Sequence, residues 1–192
     1  MKISIIAAMD EKRGIGKDNK IPWHIKEDLV HLKSLTKDHV VILGRKSYES
    51  MVWYYNKSGN PMPGKLYIIV TRDKNYKPER ESSQAAYSLD EAFNFARSHP
   101  FGSEPQAVRG SEEPSGSRRG RRLARLDEIF VIGGQSIFEQ TIGMADKLYL
   151  TIVEGDYNCD TFFPRFSEFK KIIFEEKKEG KGYKYKFLEL EK

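Results

Sequence analysis

Two short apolar runs end in glycine and lead directly into helix-forming sequence, and these junctions restrict the fold more than any other feature of the chain. Val40-Val41-Ile42-Leu43 meets Gly44, then Arg45-Lys46-Ser47. Phe130-Val131-Ile132 meets Gly133-Gly134, then Gln135-Ser136. Unbroken apolar runs of this length suit strands buried on both faces, as in a parallel sheet covered by helices. Strands are expected at 3–8, 39–43, 66–71, 129–132 and 147–154, with helical segments at 26–35, 88–98 and 136–142. The alternation predicts an α/β fold: a central mixed, mostly parallel sheet of about eight strands, flanked by helices. At the end, 172–178 and 183–190 read as an antiparallel hairpin turned by Glu179-Gly180-Lys181-Gly182.

The 192 residues suit one well-buried domain. Ser88-Leu89-Asp90-Glu91 is a capping box that opens one helix. Two stretches break the pattern. Residues 52–63 read as a long connection containing Gly, Pro and Asn. Residues 101–125 hold six arginines and no lysine, with four Gly, four Ser and two Pro, and read as a disordered insertion. Most of the net charge of +5 resides there. Its RRGRR run (residues 118–122) could attract a polyanion, but a solvated insertion is the expected state and nucleic acid is not an expected partner. No apolar run is long enough to cross a bilayer, so no membrane role is expected. The apolar N-terminus is too short for a signal peptide and is followed by Asp10-Glu11. The single cysteine, Cys159, fits a reducing, cytoplasmic setting. His24, His31, His39 and His99 are scattered, so no metal is expected.

Three features carry chemistry. Asp28 lies in the first turn of its helix, on the face shared with Leu32 and Leu35. It either complements the helix dipole or is a partly desolvated acid that grips a cationic or amidine-like ligand. The two glycine junctions, together with a third strand ending in Thr71-Arg72, place backbone N–H groups and bases at the C-terminal edge of a parallel sheet. Phosphate-bearing ligands bind at such an edge. No GxGxxG follows the first strand, so an ordinary Rossmann site is not supported. Gly14-Ile15-Gly16 followed by Ile21-Pro22-Trp23 reads as a loop with an aromatic anchor, although Trp23 could equally be a core residue.

Taken together, an ordered series of motifs resembles dihydrofolate reductase of the bacterial type. It comprises Ile5-Ile6-Ala7-Ala8, Gly14-Ile15-Gly16, Ile21-Pro22-Trp23, Asp28-Leu29, Gly44-Arg45-Lys46-Ser47-Tyr48-Glu49-Ser50, Pro63-Gly64, Val70-Thr71-Arg72, Val131-Ile132-Gly133-Gly134, Leu148-Tyr149-Leu150-Thr151 and Asp160-Thr161-Phe162-Phe163-Pro164. The resemblance covers the chain except 52–62 and 101–125. It implies NADPH-dependent reduction of 7,8-dihydrofolate to tetrahydrofolate, by a monomer.

The resemblance also implies roles. Asp28 would hold the pterin's 2-amino group and N3, with Thr151 bonded to Asp28 and a water. Protonation of N5 would proceed through water admitted beside Trp23 and Ile21. Ile6, Ala7, Leu29, Leu32, Met51 and Ile132 would wall the substrate site. Ala8, Ile15 and Gly16 would lie against the nicotinamide, under a closing 10–23 loop. Gly44, Gly133 and Gly134 would form the cofactor cradle, the last two as the family's cis Gly-Gly turn. Gln135, Ser136 and Ile137 would offer N–H groups to the pyrophosphate, and Arg45, Lys46 and Ser47 would face the phosphates. Thr71 and Thr161 would join the cofactor site. Arg45 and Arg72 would bind the 2′-phosphate, which favours NADPH over NADH.

Three departures stand against the family pattern. Lys65 occupies the position where the family carries a tail-binding arginine, which keeps the charge and loses the fork. The 52–62 stretch, with Trp53, Tyr54 and Tyr55, is longer and is expected to pack down near the substrate rim. The 101–125 insertion is the third. Two rivals remain: a pyrimidine reductase of riboflavin synthesis on the same fold, and a nucleic-acid-binding protein built on a degenerate scaffold. The first is not expected to keep Trp23 and Asp28 at this spacing, and the second rests on the insertion alone.

Overall fold

The computed structural model describes residues 1–98 and 128–192; the arginine-rich stretch at 101–125 lies outside them. Six strands run parallel: β1 (Lys2–Asp10), β3 (Val40–Gly44), β4 (Leu66–Val70), β5 (Ser83–Ala86), β6 (Glu128–Val131) and β7 (Lys147–Val153). The antiparallel pair β9 (Lys171–Gly180) and β10 (Tyr183–Glu191) completes an eight-stranded sheet in the order β5-β4-β3-β6-β1-β7-β10-β9. The expected mixed α/β sheet and its C-terminal hairpin are both present. The hairpin turn is two residues, Lys181 and Gly182, at φ 51° and 81°. Positive φ at both positions gives the turn the twist of the strands it joins.

Helices α1 (Lys26–Thr36) and α2 (Arg45–Ser58) cover one face, and α3 (Leu89–Ser98) and α4 (Gln135–Thr141) cover the other. Alternation along β1 explains the division. Ile3, Ile5, Ala7 and Met9 enter one large core with α3 and α4, whereas Ile6 faces the α1 side. The α3/α4 face is a single continuous cluster. The α1/α2 face is broken into three patches: around Tyr48 and Tyr67, around Trp23 and Phe187, and around Ile6 and Phe130. Ile132 borders two of them, so the break between α1 and α2 lies above the end of β6.

The Ser88 half of the capping box at α3 forms, with Glu91 N donating to Ser88 Oγ (3.1 Å), while the Glu91 carboxylate reaches one residue further back and accepts Tyr87 N (2.6 Å). The reading of 52–63 as a connection is overturned for 52–58, because α2 continues to Ser58, and holds for 59–63. Tyr48, Val52 and Tyr55 recur at helical spacing and are buried, which holds the extra turns on the sheet. The helix stops at Gly59, in the left-handed region at φ 69°, a conformation glycine adopts freely. Trp53 is the exposed counterpart, with Lys57 Nζ 5.1 Å from its ring centroid.

β5 and a two-stranded ribbon, β2 (Gly14–Gly16) with β8 (Thr161–Phe162), have no forerunner in the sequence reading. β5 (SQAA) lacks β-branched residues, and β2 and β8 are too short to show a period. The ribbon is packed tightly at Gly14, where an added Cβ would stand 2.5 Å from Cys159 Cβ and 2.8 Å from Asp10 Oδ2. Gly14→Ala is therefore expected to destabilise the fold by about 1–3 kcal/mol. A lowered urea midpoint at unchanged slope is the measurement, and an unaltered midpoint would show that the ribbon yields freely.

Candidate active site

The break in the α1/α2 face exposes a floor of strand ends. β6 lies between β3 and β1 and leads to α4 on the far face, whereas β3 and β1 lead to helices on the near face. The connections part around the C-terminal end of β6, and in open α/β sheets such a parting leaves a crevice for ligand. Gly44 N donates to Gly133 O (2.7 Å) and Ile132 N to Ile42 O (3.0 Å), so the two glycine junctions are joined.

Asp28 reaches this crevice from α1. Thr151 Oγ1, on β7, donates to Asp28 Oδ1 at 2.6 Å. The pairing depends on strand register: Thr151 sits opposite Ala8 on β1, which brings Thr151, Ala8 and Asp28 to one end of the cleft. The residue is half-buried, but its carboxyl is set deep. Burial raises its pKa above the usual carboxylate value, and the Thr151 hydrogen bond offsets this in part. Of the two sequence readings, the desolvated acid fits this geometry better than the surface dipole partner.

Trp23 is buried among Ile25, Val153, Tyr185 and Phe187, edge-on to Tyr157 at 5.2 Å between ring centroids. Its Nε1 is buried without a hydrogen-bond partner. A donor in that state suits a water or a ligand atom. Ile21, two residues earlier, is 60% exposed. Leu32 packs with Ile6 and Ile132, and Met51 packs against the α2 patch that Ile132 also borders. Leu29 is half-buried on the same helix. Ala7 departs from this set: its side chain enters the opposite core, leaving only its backbone toward the cleft.

The second half of the site is built from helix starts. α2 begins at Arg45 after Gly44, and α4 at Gln135 after Gly134, neither with a side-chain cap. Helix starts leave most of their first-turn N–H groups without an intrahelical acceptor. The Gly133-Gly134 peptide is cis. Added Cβ atoms would stand 3.3 Å from Ile137 at Gly44, and 3.2 Å from Ser47 Oγ at Gly134. Backbone therefore approaches the edge where a side chain would block it. Ile137 N already donates to Gly134 O (2.9 Å), which leaves Gln135 and Ser136 as the amides at the α4 start. The Gln135 side chain is engaged elsewhere, accepting Phe162 N (3.0 Å). Arg45 lies 5.8 Å from the Tyr76 ring centroid and 3.9 Å from Glu49, and Lys46 donates to Asn19 (3.3 Å). Thr71 caps its own turn, accepting Asp73 N (3.2 Å), beside exposed Arg72. Lys65 is exposed, immediately before the first residue of β4.

Sequence reasoning missed the acids that hold the 10–20 loop. Asp10 is 1% exposed and accepts backbone N–H groups from Lys12 (2.9 Å), Gly14 (2.7 Å) and Tyr157 (3.2 Å). Asp160 accepts Asp18 N (2.8 Å), while Asp160 N and Thr161 Oγ1 both donate to Gly16 O at 3.0 Å. An acid closing an apolar strand just before a glycine turn was the available signal for Asp10. Asp160 is placed by a contact across more than 140 residues, which no local pattern encodes.

The family model for dihydrofolate reductase matches residues 2–113 and 117–192. A dihydrofolate reductase of Staphylococcus haemolyticus is 33% identical over 191 residues, covering 97% of this chain and 93% of its own. One from Staphylococcus aureus (strain Mu50 / ATCC 700699) is 28% identical over 167 residues, covering 87% and 80%. Among solved structures, the dihydrofolate reductase of Enterococcus faecalis complexed with NADP(H) and RAB-propyl superposes with a TM-score of 0.71. It is 21% identical, and the match spans 99% of this chain and 95% of that one. With glycine junctions, cleft acid and whole-length matches in agreement, the chain belongs to the dihydrofolate reductase family.

Proposed function

We propose that this chain reduces 7,8-dihydrofolate to 5,6,7,8-tetrahydrofolate with NADPH, and that Asp28 is the residue on which substrate protonation depends. The observation that carries the reading is the deep carboxyl of Asp28, paired with Thr151 at 2.6 Å in a cleft bordered by two uncapped helix starts. NADPH, when bound, supplies the hydride. The protein's share is orientation and electrostatics. Asp28 accepts hydrogen bonds from the pterin's 2-amino group and N3, and its charge favours the protonated ring. Thr151 fixes the carboxylate's orientation, and Trp23 Nε1 provides a donor for the water that delivers a proton to N5. Ile21 gates that water. Ile6, Leu29, Leu32, Met51 and Ile132 wall the pterin and aminobenzoyl groups, with the Ala7 backbone at the pterin edge.

Ala8, Ile15 and Gly16 meet the nicotinamide, and the ribbon anchored by Asp10 and Asp160 holds that loop in register. The residues present fit a dinucleotide. Gly44, Gly133 and Gly134 admit close backbone approach, while amides of Gln135 and Ser136 with Lys46 and Ser47 meet the pyrophosphate. Ile137 shapes the cradle through its side chain, and Thr71 and Thr161 hold its rims. Arg45 and Arg72 take the 2′-phosphate. The chain works as a single-domain cytoplasmic monomer; its one cysteine supports a reducing setting, and no helix among the described residues is long and apolar enough to cross a membrane.

One variant separates catalysis from stability. Asp28→Asn should lower kcat/KM for dihydrofolate at neutral pH by about 10²-fold or more. The same change should raise the melting temperature of the ligand-free protein by on the order of a few °C at pH 7. Because burial raises the Asp28 pKa on folding, stability falls as pH climbs from the ordinary aspartate pKa of about 3.9 through the higher folded value, and above that the ionised group costs its full desolvation. Below the ordinary aspartate range the gain should vanish. Full activity in Asp28→Asn would end the proposal.

Replacing both Arg45 and Arg72 by Leu should cut the preference for NADPH over NADH by about 10-fold or more, chiefly through NADPH affinity. Steady-state rates with the two cofactors measure it, and an unchanged ratio would move the 2′-phosphate elsewhere. Lys65→Arg should tighten dihydrofolate binding by about 3- to 10-fold by restoring the bidentate fork. Equal affinity in a fluorescence titration would show that Lys65 does not meet the glutamate tail.

A further inference from the structure

A buried tyrosine holds the segment that carries Lys65. Tyr67, on β4, is wholly enclosed within the α2 patch, with Tyr48, Val52 and Ile69 around it. Its hydroxyl accepts the Gly64 N–H at 2.7 Å. A Cβ on Gly64 would stand 2.8 Å from the tyrosine Cζ and 2.9 Å from its Oη, so ring and glycine are fitted to one another. Two further bonds hold the same stretch from the turn before β3: Lys65 N donates to His39 O (3.0 Å), and Asp38 N donates to Pro63 O (3.3 Å). Pro63, Gly64 and Lys65 are thus each tied by a hydrogen bond to a neighbouring residue. Burial pushes the Tyr67 phenol far above its ordinary pKa, so it remains a neutral hydroxyl at any working pH.

This clamp matters because of what it aims. A lysine ammonium is a point charge on four rotatable bonds, without the planar fork that lets arginine register on a carboxylate by itself. Its reach toward a fixed anion depends on where its Cα is placed. We propose that Tyr67 is a positioning residue for the substrate's glutamate tail, fixing Gly64 and thereby directing Lys65 at the tail carboxylate. The inference rests on the reading of Lys65 as the tail contact. Removing the hydroxyl leaves the Gly64 amide without its acceptor, and the segment relaxes to find water.

The test compares kcat/KM for 7,8-dihydrofolate with that for 7,8-dihydropteroate, which lacks only the glutamate. The ratio of the two is measured in wild type, Tyr67→Phe, Lys65→Met and the double variant. Tyr67→Phe should lower the ratio by about 3- to 10-fold, through KM for dihydrofolate. Lys65→Met should lower it at least as far, and the double variant no further than Lys65→Met alone. Gly64→Ala displaces the same segment from the other side and should also lower the ratio. NADPH affinity shows which variants are folded, and if Tyr67→Phe does not bind NADPH, Gly64→Ala decides by the same ratio. An unchanged ratio in Tyr67→Phe, or losses that multiply in the double variant, overturns the inference and leaves the Lys65 contact standing. An unchanged ratio in Lys65→Met removes that contact and the inference with it.

Discussion

A carboxylate set against an apolar sheet face governs the architecture of this chain. Asp28 occupies a helix face with Leu32 and Leu35, and its carboxyl is deep enough for burial to raise its pKa. The near face of the sheet therefore cannot close as the far face does. One side is a continuous core from Ile3 to Leu190, and the other is three patches separated by a cleft. Thr151 is the structural partner that makes the arrangement tolerable, and the parallel pairing of β1 with β7 delivers it. A one-residue slip would turn Thr151 to the opposite face and leave Asp28 without a donor.

Where one face is sealed, the other can be devoted to ligand. The uncapped starts of α2 and α4 are incomplete hydrogen-bonding structures in the protein alone, and glycines keep the approach to them open. A phosphate-bearing cofactor would complete them. The same logic extends to the Trp23 indole, a buried donor without a protein acceptor. Function here is concentrated where the protein leaves polar groups for something else to satisfy.

The 10–20 loop is held by acids in addition to the packing of Ile15 on the main core. Asp10 gathers three backbone amides, and Asp160 a fourth. Carboxylates accepting backbone N–H groups fix a loop's path while leaving it thin. Tyr67 holds the Lys65 segment by the same means, with a single hydroxyl on a single amide.

The sequence by itself determined the parallel strands, their glycine junctions, the α3 capping box and the C-terminal hairpin, because each is a local pattern with a local cause. It also singled out Asp28, through helical spacing, and the ordered motifs placed Thr151 beside it. It failed at α2, where Asn, Gly and Pro near residue 60 outweighed the Tyr48, Val52, Tyr55 spacing that carries the helix on to Ser58. Tertiary structure alone decided the rest. It turned the Ala7 side chain away from the cleft, used the Ile137 amide within its own helix, and paired β2 with β8 across more than 140 residues. It also brought Asp10 to the Tyr157 amide. Those facts depend on which face a strand presents and which distant loop lies beside it. Register and crossover fix both, and neither is written in any short window of the chain.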